Sequence, residues 1–230
     1  MGRPAVVFAS APVRDSAWLR RRLRALDRRP FVVAADGGAD TARVFDLAPD
    51  LVVGDLDSIS AGSLARLEAE GVCFEPLPRD KDVTDGEVAV LRAGEAIGAG
   101  GEVLVVGALG GPRLDHGLAN LGLLARFGSH VVLLDEANEV RLLRGPETRR
   151  WAPEPGEIVS LIAWGVAARG VATSGLRWAL DGFDLPVGST RAISNEPSRP
   201  DGEVAVTLAE GLLLVTRYVP DFGSEARPGL

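Results

Sequence analysis

The chain has 230 residues, with 25 Lys plus Arg against 32 Asp plus Glu and a formal net charge of -7. That length buries a sizeable core as one large domain or two unequal ones. The acidic balance disfavours a nucleic-acid backbone as the main partner but leaves room for a small polyanion held by local cations or a metal. Cys73 is the only cysteine, which excludes an intrachain disulfide, fits a reducing, cytoplasmic setting, and leaves Cys73 as an expected small buried apolar residue.

The first predicted strand, Ala5 to Ala9, is too short for a signal peptide and is flanked by Pro4 and Pro12. No stretch approaches the roughly 20 consecutive apolar residues of a membrane span. Leu19, Leu23 and Leu26 then recur at helical spacing after Ser16, which makes the run Arg20, Arg21, Arg22 and Arg24 a solvated helix face. Strands follow at Phe31 to Ala35 and Leu51 to Val53, a helix through Leu64 and Leu67 after Ser60, and a strand at Val72 to Glu75. Next come a helix through Val88, Leu91 and Ile97, a strand at Val103 to Val106, a helix through Leu118, Leu121 and Leu124 after Asp115, and a strand at Val131 to Leu134. This alternation predicts an α/β domain over 1–145, a doubly wound, mostly parallel, Rossmann-like sheet.

From Arg144 to Gly156 the composition shifts to Pro, Arg and Glu without apolar periodicity, as an interdomain connection does. Beyond it, Glu157 to Ala163, Gly170 to Ser174, Ser189 to Ser194, Glu203 to Leu208 and Leu212 to Tyr218 are β-prone runs between Gly, Pro and Asp clusters. They predict a small all-β sandwich over 146–219, and 220–230 reads as a loosely ordered tail.

Ligands of open parallel sheets bind beyond the carboxyl ends of the strands, and four loops there carry chemistry. Asp36-Gly37-Gly38-Ala39-Asp40 lets backbone approach a phosphate, and serves equally as a tight strand-to-helix turn. Gly54-Asp55-Leu56-Asp57-Ser58 puts two carboxylates at i and i+2, suited to a shared cation or, alternatively, to capping the next helix. Pro78-Arg79-Asp80-Lys81-Asp82-Val83-Thr84-Asp85-Gly86-Glu87 contains a Thr84/Glu87 capping box, which accounts for Thr84 but not for Lys81 and Asp82. Acidic loops at one sheet edge repel by about 1 to 4 kcal/mol per close pair unless a cation lies between them, and magnesium suits hard oxygen ligands and substrate phosphates. In the fourth loop, Gly107 to His116, glycines, Arg113 and Asp115 suit a phosphate contact beside a polar substrate contact. His116 and His130 read as structural.

Together the four loops resemble the thiamine pyrophosphokinase family: ADGGA at Ala35 to Ala39, GDLDS at Gly54 to Ser58, KDVTD at Lys81 to Asp85 and GGPRLDH at Gly110 to His116. Ser174-Gly175-Leu176-Arg177-Trp178 is similar to the family's S/T-x-G-L-K-W element, and Ser194-Asn195 to its late Ser-Asn pair. The resemblance implies transfer of pyrophosphate from ATP to the hydroxyethyl group of thiamine, giving thiamine diphosphate and AMP, in a homodimer with the active site between subunits. It implies Asp55, Asp57, Asp82 and Asp85 around Mg2+, and Asp57, Lys81, Asp82 and Asp85 as catalytic, with an acid such as Asp85 taking the hydroxyl proton. ATP would meet Asp36, Gly37, Gly38, Lys81, Thr84 and Arg113, and thiamine would meet Asp115, Trp178, Ser194 and Asn195. Trp18, Trp151 and Trp164 remain core residues. Pro112 between Gly111 and Arg113, and Arg177 in place of the commoner lysine, depart from the family pattern. The first-half motifs alone also fit pyrophosphoryl transfer to another alcohol, or a non-catalytic nucleotide- or thiamine-binding module.

Overall fold

The computed structural model describes residues 2–220 except 58, 60 and 99, with Ala61 described by its backbone alone. Ser58, Ser60 and the predicted tail beyond Pro220 lie outside the described residues. The chain divides into two compact units, one reaching Glu136 and one from Ala137 onward.

The first unit alternates strand and helix: β1 (Ala5–Phe8), α1 (Ala17–Arg24), β2 (Phe31–Ala35), α2 (Gly38–Val44), β3 (Leu51–Gly54), α3 (Ala61–Ala69), β4 (Cys73–Pro76), α4 (Asp85–Ile97), β5 (Val103–Val106), α5 (Leu114–Phe127) and β6 (Val131–Leu134). The six strands pair in parallel in the order β4-β3-β2-β1-β5-β6. β1, β5 and β6 are buried at every position, which is why they read as unbroken apolar runs rather than alternating ones. The order reverses between β1 and β5, the place where an open sheet forms its ligand crevice.

Local signals set the helix starts. Ser16 accepts a hydrogen bond from the Leu19 backbone at 3.1 Å, and Thr84 Oγ1 accepts one from Glu87 N at 3.2 Å, each satisfying a donor that the first turn leaves unpaired. Two helix faces differ from the expected ones. α4 buries Ala89, Val90 and Ala93 while Leu91 is exposed, and α5 buries Leu123 and Leu124 while Leu118 is 53% exposed. Alanine carries little hydropathy, yet it lets a helix approach a sheet closely, so the leucine spacing misplaces the face. Cys73, expected in the core, is exposed because β4 is the outermost strand of the parallel set.

The second unit contains β7 (Asn138–Arg144), β8 (Glu147–Trp151), β9 (Ile158–Ala163), β10 (Ala168–Ser174), β11 (Phe183–Leu185), β12 (Val204–Leu208) and β13 (Leu212–Tyr218). β7, β13 and β9 pair antiparallel, as do β11, β10, β12 and β8 in that order. Leu143, Val159, Leu161, Val171, Val206 and Leu213 belong to one shared core, the interior of a sandwich. Trp18 is core in the first unit, whereas Trp151 packs half-buried against the sandwich and Trp164 is half-buried.

Three sequence expectations fail here. The stretch Arg144 to Gly156 is not a connection, because it contains β8, whose central residues are all exposed and so show no apolar period. β7 falls before 146 and pairs along its whole length with β13, so this unit begins at Ala137. Its sequence hides it because Glu139 and Arg141 are buried, 2.6 Å apart. Arg217 reaches Glu139 at 3.5 Å and Glu157 at 2.8 Å, and Trp151 Nε1 donates to Glu157 at 2.8 Å, so the buried charges are mutually compensated. Finally, Ser189 to Ser194 is a run of turns rather than a strand, and Ser194 has a φ of 61°.

Candidate active site

Asp36 follows β2 directly, with a left-handed φ of 45°. Its Oδ1 accepts a hydrogen bond from Leu56 N at 3.1 Å, tying the loop after β2 to the loop after β3. Gly54 closes β3 with φ 140°, and any side chain there would overlap the Asp36 carboxylate. Burial pushes the Asp36 carboxyl up to about 6. The bond from Leu56 and the charge of Lys81 oppose that shift, and the charges of Asp85 and Asp55 add to it. The acids of three separate loops thus share one electrostatic field.

Two cations answer those acids. Asp55 accepts from Asp57 N at 3.2 Å, and this bond, with Arg79 and Lys81 nearby, holds its carboxyl below the usual range. Arg79 donates to Asp57 Oδ2 at 2.7 Å and stands 3.8 Å from Asp55. Lys81 Nζ donates to the Pro78 carbonyl at 3.1 Å and forms an ion pair with Asp85 Oδ1 at 3.0 Å. That oxygen is buried and, among the described residues, has no hydrogen bond aligned to it. Arg79 is a member of this cluster that the motif reading left without a role. Its only sequence signal is its position two residues before Lys81. Asp82 stands apart, exposed and without a hydrogen bond or ion pair to a described residue.

Gly37 caps α2, and Gly38 packs so closely on the end of β1 that a Cβ would overlap the Phe8 carbonyl. These are the glycines expected to face phosphate. Thr84 is exposed, and its Oγ1 serves the helix cap. Arg113 precedes α5 and grips Asp115 through both nitrogens of its fork, the Nε at 2.9 Å, which holds the Asp115 carboxyl down at about 2. Both are exposed, so each is the other's partner in this structure. His116 and His130 are exposed, and Asn120 donates to the Ala108 carbonyl at 2.9 Å.

Among the described residues no three His, Cys, Asp or Glu side chains converge as a ready metal cage. The donor chemistry nonetheless fits a hard divalent cation: the groups are carboxylate oxygens, and Asp85 Oδ1 is buried without a hydrogen bond. No helix among the described residues is long and apolar enough to cross a membrane.

In the second unit a cavity of about 560 Å³ is lined by Trp178, Ala179, Leu180 and the segment Arg191 to Asn195. Trp178 is 54% exposed, and the Arg177 guanidinium lies 4.7 Å from its ring centroid. The arginine that departs from the family's lysine thus makes a cation–π contact with Trp178. Ser194 N donates to Ser160 Oγ at 2.9 Å. Asn195 Oδ1 accepts from Trp178 N at 3.1 Å, and its Nδ2 donates to the Trp178 carbonyl at 2.7 Å. Trp178, Ser194 and Asn195 are thus gathered on one cavity.

Both halves of the chain match known families. Residues 23–133 match the thiamin pyrophosphokinase catalytic domain, and residues 149–213 match the thiamin pyrophosphokinase vitamin B1 binding domain. The crystal structure of thiamine pyrophosphokinase from Bacillus subtilis superposes with a TM-score of 0.80 at 22% identity, covering 94% of this chain and 99% of that one. The Geobacillus thermodenitrificans structure gives 0.77 at 24%, covering 94% and 97%. These show the fold. Thiamine pyrophosphokinase 1 of Oryza sativa subsp. japonica is 31% identical over 203 residues, spanning 77% of this chain and 73% of the rice protein. With that identity over that span, and with matches to both the catalytic and the vitamin-binding domain of the family, the chain belongs to the thiamine pyrophosphokinase family of enzymes.

Proposed function

We propose that the chain transfers the pyrophosphoryl group of ATP to the hydroxyethyl oxygen of thiamine, using Mg2+ and releasing AMP. The observation that carries this reading is the joining of Asp36, Asp55, Asp57, Arg79, Lys81 and Asp85 into one charge cluster at the carboxyl edge of the parallel sheet.

Asp55, Asp57 and Asp85 would hold the metal, with exposed Asp82 as a further oxygen donor. When bound, the ion neutralises phosphate charge and lets the acids coexist. Arg79 and Lys81 stand on those acids and would be the two cations within reach of the triphosphate. The Gly37-Gly38 turn offers backbone N–H groups at the start of α2 to the same phosphates. The thiamine hydroxyl oxygen attacks the β-phosphorus as an acid such as Asp85 takes its proton, the bond from that phosphorus to the bridging oxygen breaks so that AMP leaves, and the chain contributes by positioning and charge neutralisation.

In the second unit the Trp178 indole provides a face for a flat cationic ring. Ser194 on the same cavity offers a hydroxyl. Leu114 at 75% exposure and Leu118 on α5, with Ile193 beside Trp178, are apolar surfaces suited to cover by a second copy, in support of a homodimer that completes the site. A cytoplasmic setting, where ATP is abundant and thiols stay reduced, suits this reading. The experiment is AMP release from ATP and Mg2+ by the purified protein, with and without thiamine, with products resolved by mass. AMP and thiamine diphosphate appearing together, and only with thiamine, is the expected result. AMP formed with another alcohol instead would overturn the acceptor, and no AMP at all would overturn the reaction.

A further inference from the structure

Asn195 was expected among the groups that touch thiamine, yet its side-chain amide is engaged elsewhere. Oδ1 accepts from Trp178 N at 3.1 Å and from Glu196 N at 2.9 Å, and Nδ2 donates to the Trp178 carbonyl at 2.7 Å. A carboxamide has two lone pairs and two N–H groups, so three of its four capacities go to protein backbone. One side chain satisfies both main-chain polar groups of Trp178, the role a neighbouring strand would play in a sheet.

The anchor behind this grip is firm. Asn195 is 8% exposed, and its main chain exchanges two hydrogen bonds of 2.8 Å with Val159, a fully buried residue of β9. Alongside it, Arg177 N donates to the Glu196 carbonyl and Ser198 N to the Gly175 carbonyl, both at 2.8 Å. The segment 175–178 is therefore laid along 195–198 and fixed to the sandwich. The indole is left half in solvent, with the Arg177 guanidinium over its ring.

We infer that Asn195 is a positioning residue: it holds the Trp178 main chain so that the indole stands ready as a stacking platform at the cavity, and it acts on thiamine through Trp178 rather than by direct contact. This rests on thiamine as the acceptor. Fixing the ring before the substrate arrives removes an ordering cost from binding, so loss of Asn195 should weaken thiamine and leave ATP unaffected.

A double-mutant cycle of Asn195→Ala with Trp178→Ala, read as KM for thiamine, KM for ATP and kcat, separates the two roles. Asn195→Ala should raise the thiamine KM about tenfold, as loss of one or two hydrogen bonds to backbone does. In the Trp178→Ala background the same change should have an effect of less than about twofold. An equal rise in both backgrounds would show direct contact with substrate and overturn the inference. Asn195→Asp supplies a second arm, because it keeps both acceptor bonds but sets an oxygen against the Trp178 carbonyl. It should resemble Asn195→Ala, and tighter binding of the cationic substrate to it would overturn the inference. Should Asn195→Ala not fold, the cycle run with Asn195→Asp is decided by the same ratio.

A readout without substrate keeps this separate from the proposed activity. Acrylamide quenching of Trp178 emission, taken as the difference between the protein and its Trp178→Phe variant, should rise in Asn195→Asp as the indole loosens. Unchanged quenching would overturn the positioning role whether or not the protein makes AMP. Absence of thiamine-dependent AMP in the wild type, with quenching behaving as expected, would strike the acceptor alone.

Discussion

The Lys81 ammonium faces Asp85 Oδ1 at 3.0 Å where the chain enters α4, and that oxygen is buried with no aligned hydrogen bond among the described residues. A buried carboxylate oxygen held only by an ion pair is poorly solvated, and a stronger cation or a phosphate-bound metal can claim it. Lys81→Met should therefore lower kcat by about 100-fold or more, the scale of losing one preorganised charge contact. Asp57→Asn should do the same by removing the charge that pairs with Arg79 and would help hold a cation. Both are checked by steady-state AMP formation beside thermal melting; native-like turnover in Asp57→Asn would remove it from the site.

The turn before α2 leaves no room for a side chain. Gly38→Ala sets a Cβ against the Phe8 carbonyl, which is backbone in a fully buried strand and cannot yield. A loss of about 1 to 3 kcal/mol in urea unfolding is expected. A neutral result would mean that β1 and α2 can separate.

Asp36 makes stability depend on pH in a defined direction. Its folded value of about 6 lies above the ordinary 3.8, so the folded state holds the proton more tightly than the unfolded chain. Its contribution is full below about pH 4 and is lost as pH rises through about 6. Because the sheet edge stays near solvent, about 1 kcal/mol is at stake. In metal-free buffer the stability of the wild type relative to Asp36→Asn should fall by that amount between about pH 4 and 7. A flat difference would place Asp36 in a wetter environment.

Arg217 bridges two acids inside the sandwich, Glu139 and Glu157. Arg217→Met leaves both without that partner, and a loss of about 3 to 5 kcal/mol in denaturant unfolding is expected, the usual result of breaking a buried pair from one side. A change under about 1 kcal/mol would show that Arg141 and Trp151 suffice to hold the acids.

Much of the first unit was legible because its central strands are buried, so β2, β5 and β6 run as the apolar segments they were read to be. The site loops were legible for a related reason: residues after such strands have no packing duty that calls for acids. What escaped the sequence was set by partners distant along the chain. β7 carries Glu139 and Arg141 inward because Arg217, 78 residues past Glu139, is there to meet it. Arg79 gained a role only once its loop met Asp57. Asn195 lines the expected cavity, but three of its four hydrogen-bonding capacities go to backbone, and capacity alone does not say whether backbone or ligand will use it.

The outward face of β8 has one more effect. β8 ends the order β11-β10-β12-β8, and Thr148, Arg149 and Arg150 stand exposed along it. A terminal strand invites a foreign strand to add on, and charged side chains along it disfavour that pairing. The arginines that disguise β8 as a linker thus also give this terminal strand the charged character that disfavours edge-to-edge association.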